Sequence, residues 1–481
     1  MNLSAHNDVL SIRNGHLFIE DCDTVELATR FGTPLFVVSE AKLVDNLKKY
    51  TTAFEKHWPE GRVRVMAAIK ANPITAVRRV LTREGAGCDT FGAGELELAL
   101  RGGVPTEDIA VNGSIKTPEI ICRAIELGIH IILDSARELD YCEQEAEKLG
   151  KKATIVLRLK PFLAELDDPS DFFPGRLIRD MTQTVKYGIP TSEMLPMIPK
   201  IRASKWVELV GVHTHSGRHS KKAVFWQSLV HNYVKLIKQI SDGMGNGWVP
   251  HIVSIGGGFA AEHDIESRVA VTDYETPTVE EFAETTTTAF RESMQASDLS
   301  TEGIIFEVEP GRALHNETGI HLTQVHVVKL ETANIDRRWL ETDTSEVFLS
   351  VGSLNVKPAF RYVVASKANR PEAYKADIVG ITCNYECLAE QAPVPEMASG
   401  DVIAFLNTGS YIEVYGCNFN VLPRPGTVLV KGDQAEMIKA HETPPGRQWS
   451  NDRAVRSLRG TATLCHQCRP SACFPVSRPS T

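Results

Sequence analysis

Lys70 closes a strand-like run that carries no other charge, Val65-Met66-Ala67-Ala68-Ile69-Lys70-Ala71-Asn72-Pro73. An ammonium at the end of an apolar strand reaches solvent, pairs with an acid, or is held for chemistry, because burying an unpaired charge is costly. Taken alone, such a lysine reads as a solvated strand end. Further along the chain, Asp89, Arg158, His213 with His215, the turn Gly256-Gly257-Gly258, and Glu309-Pro310-Gly311-Arg312 close other strand-like runs. Each has an ordinary reading by itself. Of the two histidines that bracket Thr214, one is expected to face the barrel mouth. A glycine turn is weak evidence, and Glu309 beside Arg312 could be a surface ion pair of little energetic consequence. Together they are the parts that a pyridoxal phosphate site needs. A lysine forms the Schiff base, a histidine stacks on the ring, and backbone N–H groups of a glycine turn cradle the phosphate. A glutamate beside the pyridine nitrogen keeps the ring an electron sink. The glycine turn and Arg312 would neutralise the phosphate.

The elements that must position these residues follow from the pattern of apolar runs. From about Pro34 to Arg312 they alternate with amphipathic stretches of helix length: PLFVVS, VRVMAAIK, GAGCDT, DIAVNG, HIILDS, ATIVLRLK, VELVGVHTH, HIVSIGGG and IIFEVEP, with helix-like segments such as KTPEIICRAIELG between them. Near-continuous apolar strands suit a parallel sheet covered by helices. About eight repeats point to an α/β chain built as a (β/α)8 barrel, whose active site forms at the C-terminal strand ends. After Arg312 the texture changes to strand-like runs separated by turn residues, which predicts a mostly β C-terminal domain. The expected organisation is an N-terminal segment, 1–33, joining the β domain; a barrel over 34–312; the β domain over 313–440; and a tail over 441–481 whose Arg, Ser and Pro content predicts disorder. The barrel is then inserted between two pieces of the β domain.

Composition excludes other classes. A formal net charge of −9, with no basic stripe to offset it, argues against a nucleic-acid surface. No run is long and apolar enough to span a bilayer, and the N-terminus lacks the pattern of a secretory signal, so a cytoplasmic location is expected. Seven of the ten cysteines are scattered at no framework-like spacing, as in reduced thiols. The other three, Cys465, Cys468 and Cys473, form one compact tail cluster with His466. Structural zinc sites join two separated ligand pairs, so no metal is expected here.

At these residues the chain resembles the fold-type III pyridoxal phosphate decarboxylases, the family of diaminopimelate, ornithine and arginine decarboxylases, whose barrel is shared with alanine racemases. The matching motifs run in order from about residue 10 to 435: FGTPLFVV, AAIKANP, GAGCDTFGAGELELAL, VKYGIP, HTHSG, IGGGF, EPGR, GITCNYE, GDVIAFLNTGSY and FNVLPRP. The likeness is greatest to the diaminopimelate decarboxylases. It implies pyridoxal 5'-phosphate on Lys70, Glu309 at the pyridine nitrogen, and His215 stacked on the ring. It also implies support of lysine and ring by Asp89, Glu95 and Arg158, and a phosphate and substrate site lined by Gly217, Gly257, Gly258, Gly311 and Arg312. Tyr411 would approach cofactor and substrate. Cys383 would come from the partner subunit of a homodimer and help protonate the carbanion after carbon dioxide leaves.

The departures from that pattern fall around the substrate. Where the family has Arg-Pro-Ala-Leu-Tyr, this chain has Lys357-Pro358-Ala359-Phe360-Arg361, and lysine does not replace arginine in bidentate carboxylate binding. The glutamate that follows the cysteine is Asn384 here, with Glu386 close enough in sequence to substitute for it. A serine after HTHSG is Arg218. The expected activity is α-decarboxylation of meso-diaminopimelate to L-lysine. Lys357, Arg361 and Asn384 leave open another diamino acid, or a conjugated amino acid of a siderophore or antibiotic route. A racemase would place arginine at the pyridine nitrogen. A non-catalytic binding relative would have lost Lys70, Glu309 or Cys383.

Overall fold

The computed structural model describes residues 7–171, 175–215, 217, 222–261, 276–350 and 360–443. Lys357, Arg218 and the tail cysteines lie outside these residues.

Eight parallel strands close into a barrel: β5 (Val63–Ala68), β6 (Gly87–Thr90), β7 (Ile109–Val111), β8 (His130–Leu133), β9 (Ala153–Leu159), β10 (Val207–Thr214), β11 (Ile252–Ser254) and β12 (Ile305–Val308). They pair in chain order, and β12 returns to β5 through Phe306–Val63 and Val308–Val65. Their outward residues and the surrounding helices form one continuous core, with the rings of Trp58, Phe54 and Phe290 each against that of Phe306. The helix Glu40–His57 opens on Ser39, whose hydroxyl accepts from the Lys42 N–H, and Val279–Ala296 opens on a Thr278/Glu281 capping box.

The β domain is a nine-stranded sheet. Its long strand β13 (Gly319–Glu331) pairs with β14 (Arg337–Thr342), with β18 (Val402–Phe405), and with β4 (Leu35–Ser39). Strand β15 (Tyr362–Val364) pairs with β18; β16 (Tyr374–Val379) and β17 (Ala389–Val394) extend one side, and β19 (Gly426–Lys431) and β20 (Gln434–Lys439) the other.

Two expectations need correction here. Leu35–Ser39, read as a barrel strand, lies inside the β sheet between β13 and β19, so the chain enters the β domain before the barrel begins. All five of its residues are buried. A continuous apolar run looks the same in a barrel and in a covered sheet, and only its hydrogen-bond partners distinguish the two. The N-terminal segment does not join that sheet either. Strands β1 (Leu10–Arg13), β2 (His16–Ile19) and β3 (Cys22–Asp23) form their own antiparallel sheet. It packs against the larger sheet through Leu10, Leu17 and Ile19, which share a core with Leu35, Val37, Ile320 and Val428.

Candidate active site

Strand parity builds the site. Side chains alternate across a strand, so residues two apart share a face. Met66, Ala110, Ile132 and Val156 pack together as an apolar floor inside the barrel. Two residues beyond three of these floor positions lie Asn112, Asp134 and Arg158, at the C-terminal strand ends. Lys70 lies four residues beyond Met66, on the short helical turn Ile69–Ala71 that follows β5. An apolar floor beneath a polar ring excludes water from below and leaves the ring facing the mouth.

A connected set of hydrogen bonds runs across this ring. Lys70 Nζ donates to Asp89 Oδ2 at 2.7 Å, and 35% of the lysine side chain remains exposed, whereas Asp89 is completely buried. Burial alone would lower the lysine, but Asp89, Tyr411 and Glu309 outweigh it and raise Lys70 above its ordinary range. Burial would likewise raise Asp89, and the Lys70 charge overcomes it, holding the carboxyl below its usual range. The other Asp89 oxygen accepts from Asn112 Nδ2 at 3.1 Å, while Asn112 Oδ1 accepts from Arg158 Nη1 at 3.1 Å. Arg158 also donates to the His215 carbonyl and lies over the Tyr187 ring. Glu95 accepts from the Phe91 N–H at 2.7 Å and closes the turn after β6; burial raises its carboxyl.

Glu309 lies across the mouth. Its Oε1 is 2.8 Å from His213 Nε2 and accepts from Ser254 Oγ at 3.1 Å, while Oε2 is buried without a hydrogen-bond partner. Burial, reinforced by Asp89, pushes the Glu309 carboxyl up to about 8, and burial beside Arg158 drives His213 far below the usual histidine range. Contrary to the expectation for the pair, both histidines come to the mouth: His213 next to the last residue of β10, and His215 just beyond its end. The His215 ring lies against the glycine turn: a Cβ on Gly256 would sit 2.7 Å from His215 Cβ, and one on Gly257 would sit 3.4 Å from His215 Nε2 and 2.2 Å from the Glu309 carbonyl oxygen. Only glycine fits at Gly257. Gly217 N–H donates to His215 Nδ1, and Gly258 has φ +92°. At Gly311 an added Cβ would meet Tyr411 Oη at 2.5 Å, and Arg312 lies over the Tyr411 ring. Tyr411 has φ +57° and donates its N–H to the Ala71 carbonyl, which ties this β-domain loop to the Lys70 turn.

These residues fit pyridoxal phosphate. A partly exposed lysine amine faces the mouth, a buried carboxyl oxygen lacks a partner, and the glycine turn lets the backbone after β11 pack directly against His215 and the Glu309 carbonyl.

The residues expected around the substrate are placed differently. Cys383 is exposed, with its N–H and Sγ facing Asn420 Oδ1 at 3.3 and 3.5 Å. Asn384 is exposed beside Glu346, and Arg361 is half-buried just before β15. Glu386, expected near the missing glutamate, is already engaged within this chain. Its carboxylate is buried and accepts from Thr382 N–H, Ser345 Oγ and Glu346 N–H at 2.7, 2.7 and 3.1 Å. It ties the Cys383 loop to the Ser345–Glu346 segment, because a buried carboxylate needs donors and Thr382 on one side and Ser345 and Glu346 on the other supply them. The sequence alone singles out neither Asn112 nor Ser254, and leaves His213 as one of a pair of which one faces the mouth. Their parity with Arg158 and Glu309 was the available signal.

Fold and site together define a barrel enzyme that uses pyridoxal phosphate. The family described as "Pyridoxal-dependent decarboxylase, pyridoxal binding domain" matches residues 41–316, and the chain belongs to that family. It is an amino-acid decarboxylase. The diaminopimelate decarboxylase of Methanocaldococcus jannaschii is 26% identical over 446 residues, 91% of this chain and 95% of the relative. That of Aquifex aeolicus is 27% identical over 442 residues, 92% of this chain and 96% of the relative. The M. jannaschii enzyme solved in co-complex with L-lysine superposes with a TM-score of 0.80 at 26% identity, covering 92% of this chain and 98% of that one.

Proposed function

We propose that this chain decarboxylates meso-diaminopimelate at its α-carbon, giving L-lysine and carbon dioxide. The observation that carries the substrate is the full-length likeness to diaminopimelate decarboxylases, over nine-tenths of this chain. When bound through Lys70, pyridoxal phosphate supplies the sink for the electron pair left as the α-carboxylate departs. The chain's own residues do the rest. Asp89 holds Nζ at the mouth, and Asn112 fixes Asp89 against Arg158. Glu309, whose Oε2 is unpartnered, would hold the pyridine nitrogen, His215 would flank the ring, and Gly257, Gly258 and Arg312 would serve the phosphate. Donors and acceptors fixed before the reaction cost no reorganisation during it, which is where electrostatic catalysis has its advantage.

The working form is a cytoplasmic homodimer in which Cys383 of one subunit serves the site of the other. The loops around Cys383 support this, because they leave Tyr385 96% exposed and Val421 66% exposed, surfaces that water seldom covers without a partner. Cys22, Cys88, Cys142, Cys383 and Cys417 are free thiols, in keeping with a reducing compartment. Mixing Lys70→Ala and Cys383→Ala proteins should restore activity that neither has alone; no recovery after subunit exchange would refute the shared site.

A second reading is favoured by Glu386, whose carboxylate is already engaged, and by Asn384 beside Cys383. With the family's distal glutamate replaced, the substrate could be another diamino acid or a conjugated amino acid. Carbon dioxide release measured across meso-diaminopimelate, lysine, ornithine, arginine and larger diamino-acid conjugates decides between the readings: the highest kcat/KM on meso-diaminopimelate is expected, and a clear preference for another substrate would overturn it.

A further inference from the structure

His213 is a histidine of the mouth that the proposed reaction does not use. It is completely buried on β10. Its Nε2 faces Glu309 Oε1 at 2.8 Å and Asn112 Nδ2 at 3.4 Å. The orientation of the Asn112 amide is fixed by its other partners. Arg158 has only donors, so it must face Oδ1; the Asp89 carboxylate has only acceptors, so it must face Nδ2. The second N–H of that amide therefore points towards His213 Nε2, which leaves Nε2 to act as an acceptor. In the cofactor-free protein the hydrogen of the Glu309–His213 contact then comes from Glu309, in keeping with a carboxyl raised and an imidazole held neutral by burial. Ser254 donates to the same Oε1 from the neighbouring strand. Two groups from β10 and β11 thus engage one oxygen of Glu309 and leave the other, Oε2, without a partner. The carboxyl cannot rotate about its bond without losing both contacts.

We propose that His213 is a positioning residue, which together with Ser254 pins Oε1 of Glu309 so that Oε2 is the oxygen presented to the cofactor's ring nitrogen. The inference rests on the decarboxylase reading for its effect on turnover, but not for its effect on cofactor binding. His213→Phe preserves a ring and removes the nitrogen; His213→Gln retains a polar terminal atom. With the holoenzyme, His213→Phe should lower kcat roughly 10- to 100-fold while KM changes little, the penalty expected when a reacting group is slightly misplaced. His213→Gln should recover much of that loss. Titration of pyridoxal phosphate onto the cofactor-free protein should show weaker binding for His213→Phe than for wild type. In a Glu309→Gln background, adding His213→Phe should have little further effect, because His213 acts through Glu309. Ser254→Ala gives a smaller change in the same direction, and provides the measurement if His213→Phe does not fold. Wild-type kcat and cofactor affinity in both His213→Phe and Ser254→Ala would overturn the proposal, as would a full additional loss in the Glu309→Gln background. A wild-type protein that releases no carbon dioxide from any amino acid would instead overturn the decarboxylase reading, leaving the cofactor titration to judge His213.

Discussion

Lys70 and Asp89 close the adjacent strands β5 and β6 with their charged groups 2.7 Å apart, the lysine looking out of the barrel and the aspartate sealed inside it. The pairing explains how an ammonium can end an apolar strand. It also positions the amine before any cofactor arrives.

Asp89→Asn should destabilise the cofactor-free protein at pH 7 by about 2 kcal/mol. Breaking a fully buried pair costs about 3–5 kcal/mol, and the exposure of Lys70 reduces that figure. The pH window follows from the directions of the two shifts. The raised lysine contributes fully below its ordinary value of about 10, and its contribution is lost as pH rises through the higher folded value. The depressed aspartate contributes above about pH 4 and is lost as pH falls through its lower folded value. The mutational cost should therefore be greatest between these limits. Urea unfolding of both proteins across pH 3 to 11 checks this, and equal stabilities at pH 7 would contradict it.

Glu309 gives the opposite slope. Its carboxyl is raised to about 8 in the folded cofactor-free protein, against an unfolded value of about 4.3. The folded state therefore holds a proton that the unfolded state has released, so this group's contribution is full below about pH 4 and lost as pH rises towards 8. Thermal unfolding of the cofactor-free protein should show Glu309→Gln less sensitive to pH over that interval than wild type. Parallel curves would show that Glu309 is already ionised.

Lys70→Ala should abolish the visible absorbance of lysine-bound cofactor and reduce carbon dioxide release to background, since Lys70 Nζ is the amine that Asp89 holds at the mouth. Glu309→Ala should retain the bound cofactor and slow decarboxylation at least about 10²- to 10³-fold, the range for losing one preorganised electrostatic partner. Near-normal release by the Lys70→Ala protein would remove Lys70 from the mechanism.

Glu386→Ala separates loop brace from substrate contact. Three donors would lose a buried carboxylate, and hydrogen bonds to a charged group are worth about 1.5–3 kcal/mol each, so a stability loss of about 3 kcal/mol is expected after partial rescue by water. A variant of wild-type stability with only a raised KM would place Glu386 in the substrate pocket after all.

How much of this was legible beforehand depends on how local each signal is. The Lys70, His215, Gly257 and Glu309 positions could be read because each sits in a short motif that ends a strand, and because a closed parallel barrel brings all strand ends to one face whatever the intervening helices are. Asn112 and Ser254 were missed although their parity was available, since an amide and a hydroxyl carry no charge to draw attention. The engagement of Glu386 was not available, because its donors come from Ser345 and Glu346, about forty residues away. What the sequence by itself determined was the alternation of strand and helix, the parity that turns polar residues inward, and the ordered motifs of a pyridoxal phosphate decarboxylase. Only the tertiary structure decided that Leu35–Ser39 leaves the barrel for the β sheet, that His213 faces Glu309, and that Glu386 is already engaged. Periodicity and motif are properties of neighbouring residues, whereas a strand's partner and a carboxylate's donors are chosen among segments far apart in the chain, by which packing buries apolar surface and pairs most of the polar groups it buries.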